Sequence, residues 1–326
     1  VAVSALFLWL ALRGLRLDQV WTALQNANYL WLIPSVSVYF LAVGARTWRW
    51  DYMLRPLKHI PLRRLFPVVV IGYMGNNVYP FRAGEVLRAY VLREREDVTV
   101  SASLATVIVE RVFDGLVMLM FVFAALPLAP LPSDSIRSLV IGASAAFFGA
   151  LIFFLVLAAM PERTLAWTQI LAHRLLPERL RQPFLDFVGR FLTGLHSLRN
   201  FRNVLMIFLT SIVVWLLETV KYWFVMHAFD FQVSFFALML MNGVVNLATT
   251  LPSAPGYVGT FDAPGIAVLT LYGIREATAT AYTLVLHAAL WLPITLLGAY
   301  YMLRQGLGWS TFGRATSQVA QGEAVS

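Results

Sequence analysis

Residues 62–92 read LRRLFPVVVIGYMGNNVYPFRAGEVLRAYVL, an apolar stretch that Pro80 and Gly84 interrupt. A second apolar stretch, 232–274, has the same Pro-x-x-x-Gly interruption at Pro252 and Gly256. Non-helical backbone is tolerated at membrane depth only where protein or a cavity surrounds it, because lipid satisfies neither its N–H nor its C=O groups. Both stretches therefore predict helical hairpins that enter and leave the membrane by one face and border a functional site.

The composition assigns the whole chain to a membrane. Of the 326 residues, 59% are hydrophobic and 13% are charged, whereas soluble domains have about 45–50% and 25%. The apolar excess continues along most of the sequence and leaves no stretch long enough for a separate soluble domain. We therefore expect an all-α polytopic membrane protein, with residues 1–326 as a single transmembrane domain and a polar tail at 305–326.

The charge of the chain indicates which molecules it meets. Its net charge is +8, and all but Lys58 and Lys221 of its 25 basic residues are Arg. This favours loops that lie against anionic lipid headgroups over binding of nucleic acid. The chain has no Cys and only five scattered His, so we predict neither a metal site nor another cofactor.

Hydrophobic segments outside the hairpins give the predicted spans. A bilayer core of about 30 Å needs about 20 apolar residues per helix. The first segment is followed by no cleavage site, so we interpret it as the tail of a spanning helix that begins upstream, not as a signal peptide. The six predicted spans are roughly 1–12, 29–45, 101–126, 137–160, 203–226 and 278–303.

Basic clusters assign the orientation, because positively charged loops stay in the cytoplasm. The segments 46–64 and 161–202 are rich in Arg and are predicted to be cytoplasmic. The segments 127–136 and 227–233 lack Lys and Arg and are predicted to be external. Both chain ends then lie in the cytoplasm.

Two segments near the cytoplasmic loops have structural interpretations. Trp48 and Trp50, beside Arg46 and Arg49, are interpreted as part of an interfacial aromatic belt with no further role. Segment 161–202 has apolar residues at helical spacing among charged ones, which predicts helices in the cytoplasmic interface. A covering helix over the bundle fits the same pattern equally well.

The two interruptions lie 172 positions apart, and the segments around them correspond. Each hairpin is preceded and followed by one spanning helix, which defines repeat one at about 29–126 and repeat two at about 203–304. The orientation gives the repeats opposite directions. The predicted fold is therefore about six spanning helices and two re-entrant hairpins arranged as inverted repeats. Interrupted segments at matching positions of such repeats indicate a transporter's substrate site near the middle of the membrane.

Charged and amide side chains surround the first interruption, although lipid disfavours them. The guanidinium groups of Arg82 and Arg88 are suited to bidentate binding of a phosphate. Asn76 and Asn77 add further hydrogen-bonding groups beside them. Alternatively, Arg82 pairs with Glu85 and simply pins the hairpin.

Two more groups of charged residues lie inside predicted spans. Glu110 and Asp114 share a helix face beside Arg111. They either carry a proton or balance a cationic headgroup, or they close a structural ion network with neighbouring Arg residues. Glu218 and Lys221, three positions apart, form a pair along one face or line a transport path.

The second hairpin has a polar lining that is almost uncharged and suited to sugar or glycerol hydroxyls. Asp262 is its charged exception. The isolated His227 and His287 are interpreted as hydrogen-bonded packing residues. The uncharged polar side chains are Asn242, Asn246, Thr249, Thr250, Ser253, Tyr257 and Thr260.

Four segments together resemble a known family. They are RTWRW (46–50), GYMGNNVYPFRAGEVLRAYVLRER (72–95), ERVFDGLVM (110–118) and PSAPGYVGTFDA (252–263). Over nearly the whole chain, the sequence resembles the lysylphosphatidylglycerol synthase transmembrane-region family, also called flippase-like membrane proteins. The family's second hairpin has Gly and Glu where this chain has Tyr257 and Asp262, a difference that bears on the width of the hairpin and the choice of headgroup.

The resemblance implies a protein that handles lipids. In bifunctional members this region moves aminoacylated phosphatidylglycerol to the outer leaflet after a soluble synthetase domain, which this sequence does not contain, has made it. Some archaeal relatives are linked to sugar transfer on polyprenyl phosphates. We therefore hypothesise a flippase in a bacterial or archaeal plasma membrane. Its substrate would be an anionic phospholipid, aminoacylated phosphatidylglycerol or a polyprenyl-phosphate lipid.

The residues predicted for such a flippase fall into four groups. Phosphate binding is assigned to Arg82, Arg88, Arg111, Asn76 and Asn77, and charge balance or proton coupling to Glu85, Glu110, Asp114 and Asp262. The hairpin breaks are assigned to Pro80, Gly84, Pro252, Pro255, Gly256 and Gly259, and a secondary path to Glu218, Lys221 and Tyr257.

Two other classes of function stay open. An intramembrane glycosyl or aminoacyl transferase would use Glu85 or Asp114 as general base, but neighbouring Arg residues would keep these carboxylates ionised and weakly basic. No Walker motif or Asp-x-Asp donor site is present. A non-catalytic partner of a separately encoded lipid-modifying enzyme, or a homodimer, is also compatible with the residues. A transporter is favoured over an enzyme.

Overall fold

The computed structural model describes residues 17–79, 82–125, 134–250 and 255–307. Within these ranges the regular secondary structure is helical throughout, as predicted. Three short 3₁₀ helices, Tyr29–Trp31, Leu195–Arg199 and Pro255–Tyr257, accompany the α-helices. The α-helices are α1 (Leu17–Gln25), α2 (Leu32–Leu54), α3 (Leu62–Val78), α4 (Ala83–Glu96), α5 (Val100–Ala125), α6 (Asp134–Ala159), α7 (Pro161–Leu175), α8 (Glu178–Gly194), α9 (Phe201–Met226), α10 (Phe235–Ala248), α11 (Asp262–Leu271) and α12 (Glu276–Arg304).

Among the described residues, three helical segments are long and apolar enough to cross a membrane: Tyr29–Leu54, α9 and α12. A fourth span results if the end of α6 and α7, which bend by 100° at their junction, are taken together. Helix α5 has 26 residues but carries charged side chains in its middle. The count of about six spans stays a prediction, and the first predicted span, 1–12, lies outside the described residues.

Helix α2 extends further than predicted and changes the interpretation of its charges. It continues to Leu54, so Arg46 and Arg49 belong to the helix and not to a cytoplasmic loop. The predicted aromatic belt is wrong for Trp50, which is fully buried and donates from Nε1 to Thr106 Oγ1 at 2.9 Å. Trp48, in contrast, is exposed, with 41% of its surface accessible.

Each hairpin has two helices, α3 and α4 in the first, α10 and α11 in the second. Pro80 and Pro252 lie outside the described residues. Gly84 is the second residue of α4 and packs at the crossing with α3. A Cβ atom on Gly84 would lie only 2.0 Å from the carbonyl oxygen of Gly72. Gly84 therefore allows close helix packing instead of breaking the helix.

The second break has left-handed backbone at Gly256 (φ 68°), Tyr257 (φ 60°) and Gly259 (φ 82°). In the first break, Arg82 is left-handed as well, with φ 54°. A right-handed helix cannot continue through such a residue, because the φ angle lies outside the right-handed region that every residue of the helix adopts. The helices on either side of each break are thus separate elements.

The helices pack in a pattern that matches between the two halves. Helix α2 packs on α9, α3 packs on α12, and α5 packs on α10. Inside each half, α3–α4 and α4–α5 contacts correspond to α10–α11 and α11–α12 contacts. The pattern is therefore unchanged when α2–α5 are exchanged with α9–α12. It brings the breaks of both hairpins to the same region of the molecule.

Candidate functional site

A cavity with about 780 Å³ of atom-free space, including its open mouth, lies between the two hairpin breaks. Helices α2, α5, α9 and α12 form the rest of its wall. Its lining is rich in aromatic rings, amides and arginine. The polar and aromatic lining residues are Tyr39, Arg46, Tyr73, Asn76, Asn77, Arg82, Arg111, Trp215, Glu218, Tyr222, Asn246, Thr249, Tyr257, Phe261, His287 and Trp291.

Arg82 connects the two hairpins across the cavity. Its Nη2 donates to the carbonyl oxygen of Thr249, the C-cap residue of α10, at 3.1 Å. Its guanidinium also lies 5.7 Å from the centre of the Tyr257 ring. The predicted pair with Glu85 is present, at 3.4 Å between Nη1 and Oε1. A cation at a helix C-terminus is favourable because the end carries partial negative charge.

Arg111 reaches the cavity from α5 and is surrounded by acidic residues. Its Nη2 lies 2.6 Å from Glu110 Oε1, and its Nη1 lies 3.4 Å from Asp114 Oδ2. Its Nε lies 3.5 Å from Glu85 Oε1. Arg82 and Arg111, which line the cavity, thus share Glu85 as a partner.

A fully buried ion network lies behind Arg111. Arg49 contacts Asp114 at 2.5 Å and Glu110 at 3.0 Å, with a completely inaccessible side chain. Arg88 contacts Glu110 at 2.8 Å and packs with its guanidinium 4.4 Å from the Trp50 ring. Three arginines contact Glu110 and two contact Asp114, which supplies the pairing that burial of charge requires.

Arg88 is therefore not a lining residue of the main cavity, although we predicted that it binds phosphate. It borders a neighbouring space of about 210 Å³, and its side chain is only 5% accessible. This arrangement corresponds to the structural ion network that the sequence left open as an alternative for Glu110 and Asp114.

A second ion cluster joins α2 and α9. Arg46 Nη1 donates to Glu218 Oε1 at 2.6 Å, and Lys221 Nζ donates to Glu218 Oε2. The Lys221 ammonium also lies 4.7 Å from the Tyr39 ring centre. Arg46 and Glu218 face the cavity, whereas Lys221 lies behind them. Sequence reasoning missed Arg46 because it assigned this residue to a loop.

The two predicted asparagines of the first hairpin have different environments. Asn77 Nδ2 donates to the Trp291 carbonyl at 3.3 Å and to Thr295 Oγ1 at 2.8 Å, which fixes the hairpin to α12. Asn76 Oδ1 and the Tyr73 hydroxyl are buried with no hydrogen-bond partner among the described residues. Buried polar atoms normally have partners, so these two are candidates to bind a ligand.

Asp262 and His287 form a polar contact at the second break. Asp262 Oδ1 lies 2.8 Å from His287 Nδ1, and Asp262 Oδ2 accepts from the backbone N–H of Gly259 at 2.9 Å. His287 Nε2 lies 2.7 Å from the carbonyl oxygen of Gly256. The prediction that His287 is a hydrogen-bonded residue is consistent with these contacts.

The structure brings four of the five predicted phosphate-binding residues to one cavity, together with Glu218 and Tyr257 of the predicted secondary path. Asn76, Asn77, Arg82, Arg111 and Tyr257 all line it. Ser253 lies outside the described residues. Residues that the sequence reasoning did not assign to the site, but that line the cavity, are Tyr39, Arg46, Tyr73, Trp215, Tyr222, Phe261, His287 and Trp291.

Comparisons with known proteins place the chain among membrane proteins of one family. The sequence model of the family described as lysylphosphatidylglycerol synthase TM region matches residues 1–298. Two UPF0104 membrane proteins of Methanothermobacter thermautotrophicus are 25% and 24% identical, over 81% and 92% of this chain and 82% and 89% of their own. A Haloferax volcanii protein named glycosyltransferase AglD is 25% identical over 86% of this chain and 50% of its own. No solved structure matches the chain significantly.

Proposed function

The chain belongs to the lysylphosphatidylglycerol synthase transmembrane-region family, and on that premise we propose that it moves an anionic lipid between the leaflets of a membrane. The single observation that carries the proposal is the charge of the cavity between the hairpins. Arg46, Arg82 and Arg111 line it, and the acidic lining residue among those described, Glu218, is already bound by Arg46 and Lys221.

A lipid phosphate fits this lining chemically. Guanidinium groups bind phosphate through paired, charge-assisted hydrogen bonds. Arg82 and Arg111 are the proposed primary contacts, and Arg46 is a third. The partnerless Asn76 Oδ1 and Tyr73 hydroxyl are proposed to contact the remaining polar part of the headgroup. Arg88 is proposed to act indirectly, by holding Glu110.

The proposed architecture is a pair of inverted repeats, about 29–126 and 203–304, each with one re-entrant hairpin. The matching contacts of α2–α5 and α9–α12 support it. Helices α7 and α8 are proposed to lie in the cytoplasmic interface, with both chain ends in the cytoplasm of a bacterium or archaeon. Alternating access would then rock one repeat against the other around the cavity.

A transferase is the second candidate, because one relative is named a glycosyltransferase. A general base needs a carboxylate that is free to accept a proton. Glu110 and Asp114 are each held by two or more Arg side chains, which disfavours that role. Glu85, at 3.4–3.5 Å from Arg82 and Arg111, is the carboxylate that such an enzyme would use.

The test is transbilayer movement of labelled lipids in liposomes that contain the purified protein. The panel comprises phosphatidylglycerol, its lysyl ester and a polyprenyl phosphate. We compare the unsubstituted protein with Arg82→Gln and with the matched control Arg63→Gln, which changes an exposed Arg in the first turn of α3. Size-exclusion chromatography and circular dichroism verify folding of each variant.

We expect the unsubstituted protein and Arg63→Gln to move at least one anionic lipid at equal rates. Arg82→Gln should be slower by roughly tenfold or more, because a hydrogen bond to a charged group contributes about 1.5–3 kcal/mol. If no lipid moves under any ion gradient, the transporter proposal fails. Screens for donor substrates and for a bound partner enzyme would then take priority.

A further inference from the structure

Both ring nitrogens of His287 face oxygen atoms. Nδ1 lies 2.8 Å from Asp262 Oδ1, and Nε2 lies 2.7 Å from the Gly256 carbonyl oxygen. A neutral imidazole has one N–H and one lone pair, and an ionised carboxylate and a carbonyl group only accept. A neutral His287 beside an ionised Asp262 can therefore make only one of these two hydrogen bonds.

One additional proton resolves this conflict in either of two ways. Either His287 is an imidazolium beside an ionised Asp262, or a protonated Asp262 donates to a neutral His287 whose Nε2–H donates to Gly256. In both arrangements the pair has zero net charge and holds one exchangeable proton. When that proton leaves to water in the cavity, the pair becomes singly negative and one hydrogen bond is lost.

The same pair holds the two glycine positions of the second break. His287 contacts the carbonyl group of Gly256, and Asp262 Oδ2 accepts from the N–H of Gly259 at 2.9 Å. Both glycines have left-handed backbone, with φ of 68° and 82°. Since His287 belongs to α12 and Asp262 begins α11, the pair fastens the break to the wall of the cavity.

We propose that Asp262 and His287 form a proton-binding site that fastens the second hairpin to α12 when loaded and releases Gly256 when the proton leaves. The site itself stands on its geometry alone. Its use as the coupling-ion site of transport rests on the proposed function. Access for the proton is available, because 14% of the His287 side chain is accessible and the ring borders the cavity.

Other titratable groups surround the site without bonding to it. The Phe261 ring, 4.6 Å from the His287 ring, covers one face. None of the described contacts joins a further charged side chain to His287. The charged and titratable groups that face the same cavity are Arg46 and Tyr39 on α2, Tyr73 on α3, Arg82 at the first break, Arg111 on α5, Glu218 and Tyr222 on α9, and Tyr257 at the second break.

Asp262→Asn tests whether the proton matters apart from the hydrogen bonds, because an asparagine amide has the same shape and donor as a protonated carboxyl group. Its NH₂ group can donate to Nδ1 while Nε2–H donates to Gly256, so both hydrogen bonds persist without an exchangeable proton. The chain has no Cys, which allows one introduced cysteine to report on the break. Val258→Cys places it beside Gly256 at an exposed position, and Gln232→Cys gives an exposed control before α10.

The measurement is the rate of maleimide labelling at about pH 6 and about pH 9, a range that includes ordinary histidine titration. Dividing the Val258→Cys rate by the Gln232→Cys rate removes the effect of pH on the thiol. We expect this ratio to rise several-fold with pH in the unsubstituted background and to stay constant with Asp262→Asn. A constant ratio in the unsubstituted background, or an equal rise in both, overturns the proposal.

A second measurement covers the case in which Asp262→Asn does not fold. Nitrogen-15 spectra of labelled histidine in the unsubstituted protein, assigned by comparison with His287→Gln, report the hydrogen bonds of each ring nitrogen. Two hydrogen-bonded nitrogens on His287 at about pH 6 support the proposal, and an unbonded lone pair overturns it. Neither experiment depends on lipid movement, so failure here is distinct from failure of the proposed function.

Discussion

Arg46 and Glu218 are 172 positions apart and share a hydrogen bond of 2.6 Å between Nη1 and Oε1. Arg49 and Lys221 have the same separation in sequence, as do Gly84 and Gly256. Two residues related by a two-fold axis can touch only near that axis. The Arg46–Glu218 bond therefore lies near the two-fold axis that relates the two proposed repeats. Both residues line the cavity.

The charges of this cluster predict an order of stability among three variants. Glu218→Gln leaves two buried cations, Arg46 and Lys221, without their carboxylate. It should lower the free energy of unfolding by about 3–5 kcal/mol. Arg46→Met or Lys221→Met leaves one neutral ion pair and should be clearly milder. Thermal unfolding in detergent measures the order, and equal losses for all three variants would contradict it.

Arg49 on α2 and Arg55 at the C-cap of α2 provide a matched pair for the effect of burial. Arg49 contacts Asp114 at 2.5 Å and is inaccessible, whereas Arg55 contacts Asp51 at 2.7 Å with 43% of its side chain accessible. Arg49→Gln should destabilise by about 3 kcal/mol, because it removes the buried cation that Glu110 and Asp114 share while leaving each of them another Arg partner. Arg55→Gln should change stability by at most about 1 kcal/mol. Denaturant unfolding of both variants in the same detergent measures the two changes in the free energy of unfolding. Similar decreases for both variants would show that Arg49 is not buried in the folded protein.

Gly84 should not tolerate a side chain, although it lies inside a helix. Its Cβ would approach the Gly72 carbonyl oxygen to 2.0 Å and the Asn76 nitrogen to 2.4 Å, both in the backbone of α3. Gly84→Ala should therefore destabilise the protein by about 1–3 kcal/mol or more. Gly189→Ala on α8 meets open space and should be neutral or stabilising by up to about 1 kcal/mol. Melting temperatures of the two variants test this, and an unchanged Gly84→Ala protein would contradict the close crossing of α3 and α4.

The arginine-rich lining predicts a preference among lipid headgroups. A lysyl ester brings positive charge next to Arg46, Arg82 and Arg111, and like charges repel in a poorly solvated site. Phosphatidylglycerol should therefore move faster than its lysyl ester by roughly tenfold, a difference of about 1.4 kcal/mol. The two labelled lipids are compared in the same liposomes. Equal rates, or faster movement of the ester, would contradict the assignment of the cavity as an anion site.

The sequence predicted the membrane environment, the all-α class and the region of both breaks, because these depend on composition and on Pro and Gly. The sequence analysis failed at Arg46 and Arg49, because counting basic residues in loops cannot recognise an Arg that lies inside the last turns of a helix. The 172-residue offset was a usable signal, since it relates both positions to Glu218 and Lys221. For Arg88 the sequence left two roles open, phosphate binding and an ion network with Glu110, because only the fold reveals that Glu110 lies within 2.8 Å of it.

The bond from Arg82 to the Thr249 carbonyl has a thermodynamic consequence for any bound phosphate. A phosphate that takes the Nη2–H that donates to Thr249 displaces the end of α10 from Arg82. Occupancy of the cavity and contact between the hairpins then compete for one side chain, so each weakens the other by the same factor. An empty protein would accordingly favour joined hairpins, and the lipid itself would supply the free energy that separates them.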